Sequence, residues 1–185
     1  MTGHKILIIK TGYSEILDKE GTSREVSKGD VLRTTPVLHL YKGDKVTWLA
    51  DQKAFPLLEG NPLISRLMHY DFQTRDQLMA ERFDVVINLE KFPPLCALAT
   101  QIEAWKKHGF RLDRDTGEAK AYDRSSEVLT VSADLATKRR NRKKAQELLF
   151  EMVGEKWNGE TYILGYQPKT RETYDVAFNT NVGNN

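Results

Sequence analysis

Short apolar runs alternate along this chain with stretches of helical spacing. The first run, Ile6-Leu7-Ile8-Ile9, lies in a predicted strand over residues 4–10. Polar chain follows from about residue 17 to residue 28. Ser27 stands three residues before Asp30, the spacing of an N-cap with an acidic partner in the first turn. Val31, Leu32, Thr35 and Leu38 then recur at helical spacing, and Gly43-Asp44 closes that helix. Residues 45–50, 64–70 and 83–89 read as further strands. The apolar core of the last is continuous, as expected for burial on both faces. Between them lie a short helix or turn over 54–58, stopped by Gly60-Asn61-Pro62, and a polar helix over 75–81. Pro93-Pro94 opens a strongly apolar helix over 95–105. Residues 110–123 read as a hairpin or loop. A long helix is predicted over 134–152, with Leu135, Ala145, Leu148, Leu149 and Met152 on one face and Gly154 as its stop. Residues 161–164 and 174–178 are short strand candidates, and 179–185 are polar and turn-rich. This alternation predicts an α/β fold of βαβ units around a mainly parallel sheet.

Composition narrows the class. Hydrophobic residues at 39% and charged residues at 29% describe an ordinary globular chain, and a formal net charge of +2 does not mark a general polyanion binder. The single cysteine, Cys96, excludes an intrachain disulfide and suits a reducing cytoplasm; its expected place is the core. His4, His39, His69 and His108 are far apart, and no zinc-type spacing appears, so no metal is expected. Asp113-x-Asp115 matches a metal-binding pattern literally, but it falls in the hairpin and is read as chance. The N-terminus leads straight into a strand without a secretion signal, and no apolar run approaches the roughly 20 residues that span a bilayer. Trp48, Trp105 and Trp157 are expected in the core or an interface.

The opening carries the chemistry. A strand, a loop and a helix N-terminus place a carboxylate, Asp30, where ligands meet a doubly wound sheet. The helix dipole favours its ionised form, so Asp30 is a candidate base; the bland alternative is an acidic residue stabilising a helix start. Gly12 and Gly29 would let a ligand approach the backbone, or would serve ordinary turns. Lys10 ends the strand, where it could touch a phosphate or pair with Asp30. Arg33, one turn after Asp30, could meet an anionic acceptor or be plain surface. Tyr13 and Glu15 are candidates for the cleft wall. Gly-x-Gly-x-x-Gly is absent after the strand, which disfavours a dinucleotide-dependent oxidoreductase.

These residues resemble glycosyltransferase family 9, which includes the lipopolysaccharide heptosyltransferases. Lys10-Thr11-Gly12 and Gly29-Asp30-Val31-Leu32-Arg33-Thr34-Thr35-Pro36 correspond to the two halves of its opening motif. Val46-Thr47-Trp48-Leu49, the run from Pro56 to Pro62, Phe83-Asp84-Val85-Val86-Ile87-Asn88-Leu89, and a basic-x-Gly-Phe turn at Lys106-Lys107-His108-Gly109-Phe110 follow in the family's order. The long insertion between Gly12 and Gly29 departs from its shortest members. The resemblance implies a Rossmann-like doubly wound sheet, the N-terminal half of a GT-B type transferase. Residues 1–173 would be the acceptor-side domain and 174–185 the first strand and loop of a C-terminal donor-binding domain. It further implies an inverting, metal-independent transfer of a sugar, a heptose among the candidates, from an ADP-linked donor to a lipopolysaccharide or other surface-glycan acceptor. Asp30 would be its base, with Lys10, Thr11, Gly12, Gly29 and Arg33 around the donor and acceptor.

One motif stands apart. Lys138-Arg139-Arg140-Asn141-Arg142-Lys143-Lys144 holds six basic residues in seven. On a helix these form a solvated face partly paired with Glu147 and Glu151, a contact for anionic membrane or a phosphorylated lipid, or, with no aromatic platform beside them, less readily a nucleic-acid site. Hence a second reading from another class: a non-catalytic α/β module binding acidic glycan or lipid through Arg33 and this helix. The expected location is the cytoplasm, with peripheral contact at the membrane's inner face.

Overall fold

A computed structural model of the chain describes residues 3–13, 26–165 and 173–176. Six strands form one sheet: β1 (Lys5–Ile9), β2 (Lys45–Ala50), β3 (Arg66–His69), β4 (Arg82–Asn88), β5 (Glu103–Leu112) and β6 (Ala119–Ala121), in the order β3-β2-β1-β4-β5-β6. β1 to β5 run parallel; β6 folds back antiparallel on β5. Connections step outward from β1 on one side and outward from β4 on the other, so the topological switch lies between those two strands. The helices are α1 (Lys28–Thr34), α2 (Phe55–Leu58), α3 (Phe72–Ala80), α4 (Pro93–Gln101), α5 (Ser126–Ala133), α6 (Leu135–Arg140) and α7 (Ala145–Val153). The expected α/β, mostly parallel, doubly wound sheet is the fold observed.

Strand alternation splits the core in two. Ile6 and Ile8 of β1, with Trp48 and Ile87, pack under Val31 of α1 and Leu149, Phe150 and Met152 of α7. Leu7 and Ile9, with Leu49 and Val86, pack under Leu78 of α3 and Leu95, Leu98 and Ala99 of α4. Each fully buried aliphatic side chain contributes about 1.5–3 kcal/mol, so the two-sided burial of β1 anchors the loop that leaves its end.

Several elements differ from the pattern's prediction. Helix one changes character after Thr34, where Thr35–Tyr41 continue as a 3-10 helix. Pro36 has no N–H to donate and its ring blocks a regular α turn. The helix expected over 95–105 stops at Gln101, and Glu103, Ala104 and Trp105 belong to β5. Trp105 is therefore 92% exposed rather than in the core, unlike buried Trp48 and half-buried Trp157. The basic-x-Gly-Phe segment lies within β5 and is not a turn. Gly109 has φ +88, and a Cβ there would sit 1.8 Å from the Asn88 carbonyl oxygen, so only glycine lets β5 cross β4 here.

The long helix over 134–152 is broken. α6 ends at Arg140 and α7 begins at Ala145. Asn141 causes the break: its side-chain oxygen accepts the Lys143 N–H (3.0 Å) and its amide donates to the Lys143 carbonyl (2.9 Å). Those local bonds replace the helical ones. α5, which the apolar pattern left unassigned, packs against α6 and α7. The hairpin reading over 110–123 holds as β5, the turn at 113–117 and β6. Residues 161–164 form no strand. They make an extended strap, tied by Asn61 Nδ2 to the Ile163 carbonyl (3.0 Å) and by the Ile163 N–H to Thr35 Oγ1 (3.2 Å). Residues 173–176 are not in a strand either, and 177–185 lie outside the described residues.

Candidate functional site

At the carboxyl end of β1 the chain leaves the sheet through Lys10, Thr11 and Gly12. Gly12 has φ +86, and a Cβ would meet Val31 Cγ2 at 2.7 Å, so both conformation and space demand glycine. Its carbonyl accepts the Ser27 N–H (2.7 Å), and Tyr13 bridges Val26. The insertion is thereby closed at its base and delivers the chain to α1; Glu15 lies outside the described residues. Ser27 caps α1 as expected, its Oγ accepting the Asp30 N–H (3.3 Å). Asp30 rises from the first turn with its side chain 29% exposed, and Arg33 donates Nη2 to Asp30 Oδ1. Gly29 sits exposed on α1 with ordinary φ and open space around a virtual Cβ, so no steric demand selects glycine there.

Behind this surface lies a residue that the sequence reading did not single out. Glu90, just past β4, is 1% exposed. Its Oε1 accepts the Thr11 hydroxyl (3.0 Å) and the Gly12 N–H (2.8 Å), and lies 3.2 Å from Lys10 Nζ. Lys10 therefore pairs with Glu90 and not with Asp30, and Thr11 faces Glu90 rather than solvent. Asn88 fixes the far side: Nδ2 donates to the carbonyls of Phe110 (2.7 Å) and Glu90 (3.1 Å), while Oδ1 accepts the Glu90 N–H (3.1 Å). A buried charge needs such a partner and such donors. The signal was present in the sequence: two polar residues, Asn88 and Glu90, follow the apolar run Val85-Val86-Ile87 toward the strand's carboxyl end.

Cys96 Sγ–H donates to the Glu90 carbonyl (3.2 Å), and burial, aided by the nearby Glu90 carboxylate, pushes its thiol up to about 11. A thiol with a raised folded pKa loses stability to the unfolded state as pH climbs. The expected result is inertness of Cys96 to thiol reagents at neutral pH. Stability should also decline from about pH 8.5, where an unfolded cysteine ionises, toward 11. Rapid labelling of the native protein at pH 7 would contradict this.

Between α1 and α7, over the ends of β1 and β4, runs a cleft of about 570 Å³. Asp30, Arg33, Lys10, Lys91 and Lys138 supply its charges; Leu89, Phe110, Leu148 and Met152 supply apolar floor and wall. Lys91 Nζ lies 5.5 Å from the centre of the Phe110 ring. The basic run divides three ways. Lys138 lines the cleft. Arg139, Arg140 and Arg142 are exposed. Lys143 binds Glu127 (2.9 Å) and Glu151 (2.8 Å), which holds its pKa above the ordinary lysine value, and Lys144 covers Trp157 at 4.8 Å. Glu147 accepts the Lys144 N–H instead of a side-chain cation. Asp113 is spent inside its turn, accepting the N–H of Asp115 (2.9 Å) and Thr116 (3.0 Å) and pairing with Lys120. No described helix is long and apolar enough to cross a membrane.

The strand order is that of a doubly wound α/β sheet, and the cleft lies at its carboxyl edge beside the topological switch point. Neither a family model nor a curated protein matches the chain. Solved structures resemble it, among them the following three. The glycosyl transferase family 9 protein from Veillonella parvula DSM 2008 is 21% identical, over 62% of this chain and 37% of its own, with a TM-score of 0.43. E. coli heptosyltransferase WaaC with ADP is 18% identical, over 82% of this chain and 48% of its own, with a TM-score of 0.47. The same enzyme with ADP-2-deoxy-2-fluoro heptose is 18% identical, over 90% of this chain and 50% of its own, also at 0.47. The chain thus spans half or less of the length of each.

Proposed function

We propose that this chain is the acceptor-side half of an inverting glycosyltransferase that uses a nucleoside-diphosphate sugar. The observation that carries the reading is Asp30, held by its cap at the mouth of a cation-rich cleft at the sheet's switch point. The acceptor hydroxyl gives its proton to the Asp30 carboxylate while its oxygen bonds to the anomeric carbon. The bond from that carbon to the diphosphate oxygen breaks, and its electron pair leaves with the nucleoside diphosphate. One displacement inverts the configuration and needs a single carboxylate. Arg33 holds Asp30 until an acceptor arrives, and Lys91 and Lys138 offer charge to an anionic acceptor or to the leaving diphosphate. The donor, ADP-linked by the likeness to the heptosyltransferase motifs, would be held mainly by a second domain, which residues 174–185 would begin. The setting would be the cytoplasmic side of a membrane carrying a glycolipid acceptor. The test is acceptor-dependent release of nucleoside diphosphate when a donor-binding domain is supplied, for wild type and Asp30→Asn.

The exposed Arg139, Arg140 and Arg142 favour a second element, contact with an anionic surface, which a non-catalytic lipid-binding module would share. Each basic residue near such a surface is worth about 1 kcal/mol, so neutralising the three should weaken binding to phosphatidylserine vesicles at low salt by on the order of 100-fold. Lys143, already paired internally, should matter less. Vesicle binding unchanged in the triple variant would return these arginines to a solvated face.

A further inference from the structure

One stretch of the sheet is left open by every described residue. β5 pairs with β4 from Glu103 to Gly109, but β6 covers the other side of β5 only at Phe110, Arg111 and Leu112. On that side Gly109 is closed as well: its N–H donates to Ser125 Oγ (2.9 Å) and its carbonyl accepts the Tyr122 N–H (2.9 Å). Backbone groups two residues apart in a strand point the same way. Lys107, Trp105 and Glu103 therefore aim their N–H and C=O toward the open edge. Lys107 Nζ donates to the Thr100 carbonyl at the end of α4 (2.8 Å). Trp105, the middle of the three, is 92% exposed. A free edge with a bare tryptophan is a pairing surface unless something blunts it.

We propose that this edge pairs with the same edge of a second copy of the chain, antiparallel, about a two-fold axis through Trp105. The charge pattern carries the choice of occupant. With the axis at Trp105, the two tryptophans oppose each other, and Glu103 of each copy, which also holds Arg82 of its own chain (2.9 Å), faces Lys107 of the other. Ala104, which packs against the α4-side core, meets Lys106, so no like charges meet directly across. Centring the axis on Glu103, Lys106 or Lys107 would instead set like charges directly across, which is unfavourable. The five residues from Glu103 to Lys107 fill the window between the end of α4 and the Ser125 closure. A self-complementary patch is what a closed two-fold dimer requires.

The test is sedimentation velocity of the full chain. Because the contact is small, concentrations should span the order of 1 to 100 μM. Wild type should shift from monomer to dimer across that range. Glu103→Lys alone and Lys107→Glu alone should remain monomers, while their equimolar mixture recovers a dimer, since each supplies the charge the other lost. Thermal melts establish that both variants fold. Trp105→Thr, a change at a side chain that touches mainly solvent, should also be monomeric, and it tests the edge without altering charge. A wild type that stays monomeric, a dimer that persists in Trp105→Thr, or a mixture of folded charge variants that stays monomeric would each overturn the proposal.

Discussion

Replacing Asp30 by Asn should abolish sugar transfer while leaving acceptor binding nearly intact. A positioned base contributes about 10²–10⁴-fold to a rate, so the turnover of the variant should fall by that factor at saturating acceptor. The amide keeps the size of the side chain, and the Ser27 cap uses the Asp30 N–H rather than its carboxylate, so α1 still forms. What disappears is the proton acceptor at the mouth of the cleft, together with the charge that holds Arg33. Calorimetry with an acceptor analogue separates the two roles: an unchanged Kd beside lost turnover marks a base, whereas a matching loss of both marks a binding residue. Equal turnover by wild type and variant would remove Asp30 from the mechanism and, with it, the proposed reaction.

Glu90→Ala should be the most damaging single change to the fold around the site. Lys10 and Glu90 have side chains only 6% and 2% exposed, so removing the carboxylate strands a buried ammonium and leaves the Gly12 N–H and Thr11 hydroxyl without their acceptor. Breaking a buried pair costs about 3–5 kcal/mol, which for a domain of this size lowers Tm by about 6–20 °C. The paired substitution Lys10→Met with Glu90→Met should cost less than the sum of the two single changes, because no charge is left behind. A melting temperature for Glu90→Ala within a degree or two of wild type would show that Glu90 does not organise the loop. Since that loop sets the base of the insertion and the start of α1, activity should fall along with stability.

Much of this was legible in the residues themselves. The apolar run of β1, the alternation of strands and helices, the Ser27 cap and the position of Asp30 after a strand all depend on neighbours within a few residues, and they stand where the pattern puts them. Asp30, Arg33, Lys10 and Lys138 do come together around one cleft. Where the reading failed, a competing local or distant contact decided. The helix over 134–152 broke because the Asn141 side chain substituted for helical bonds, and the apolar stripe is blind to that. Residues 103–105 became strand because the edge of β4 was available to them, and that edge lies far away in sequence.

The sequence by itself determined the two-faced strands, the helix starts and the presence of a carboxylate at the head of α1, because propensity, capping and period act over one or two turns. Only the tertiary structure decided that Lys10 serves Glu90, that the basic run parts into cleft, surface and internal ion pairs, and that Trp105 stands bare on a sheet edge. Those outcomes rest on contacts beyond the reach of a helical or strand period, from Lys143 with Glu151 in one region to Thr11 with Glu90 across the sheet. The energy of a buried charge or an open edge depends on what folding brings beside it.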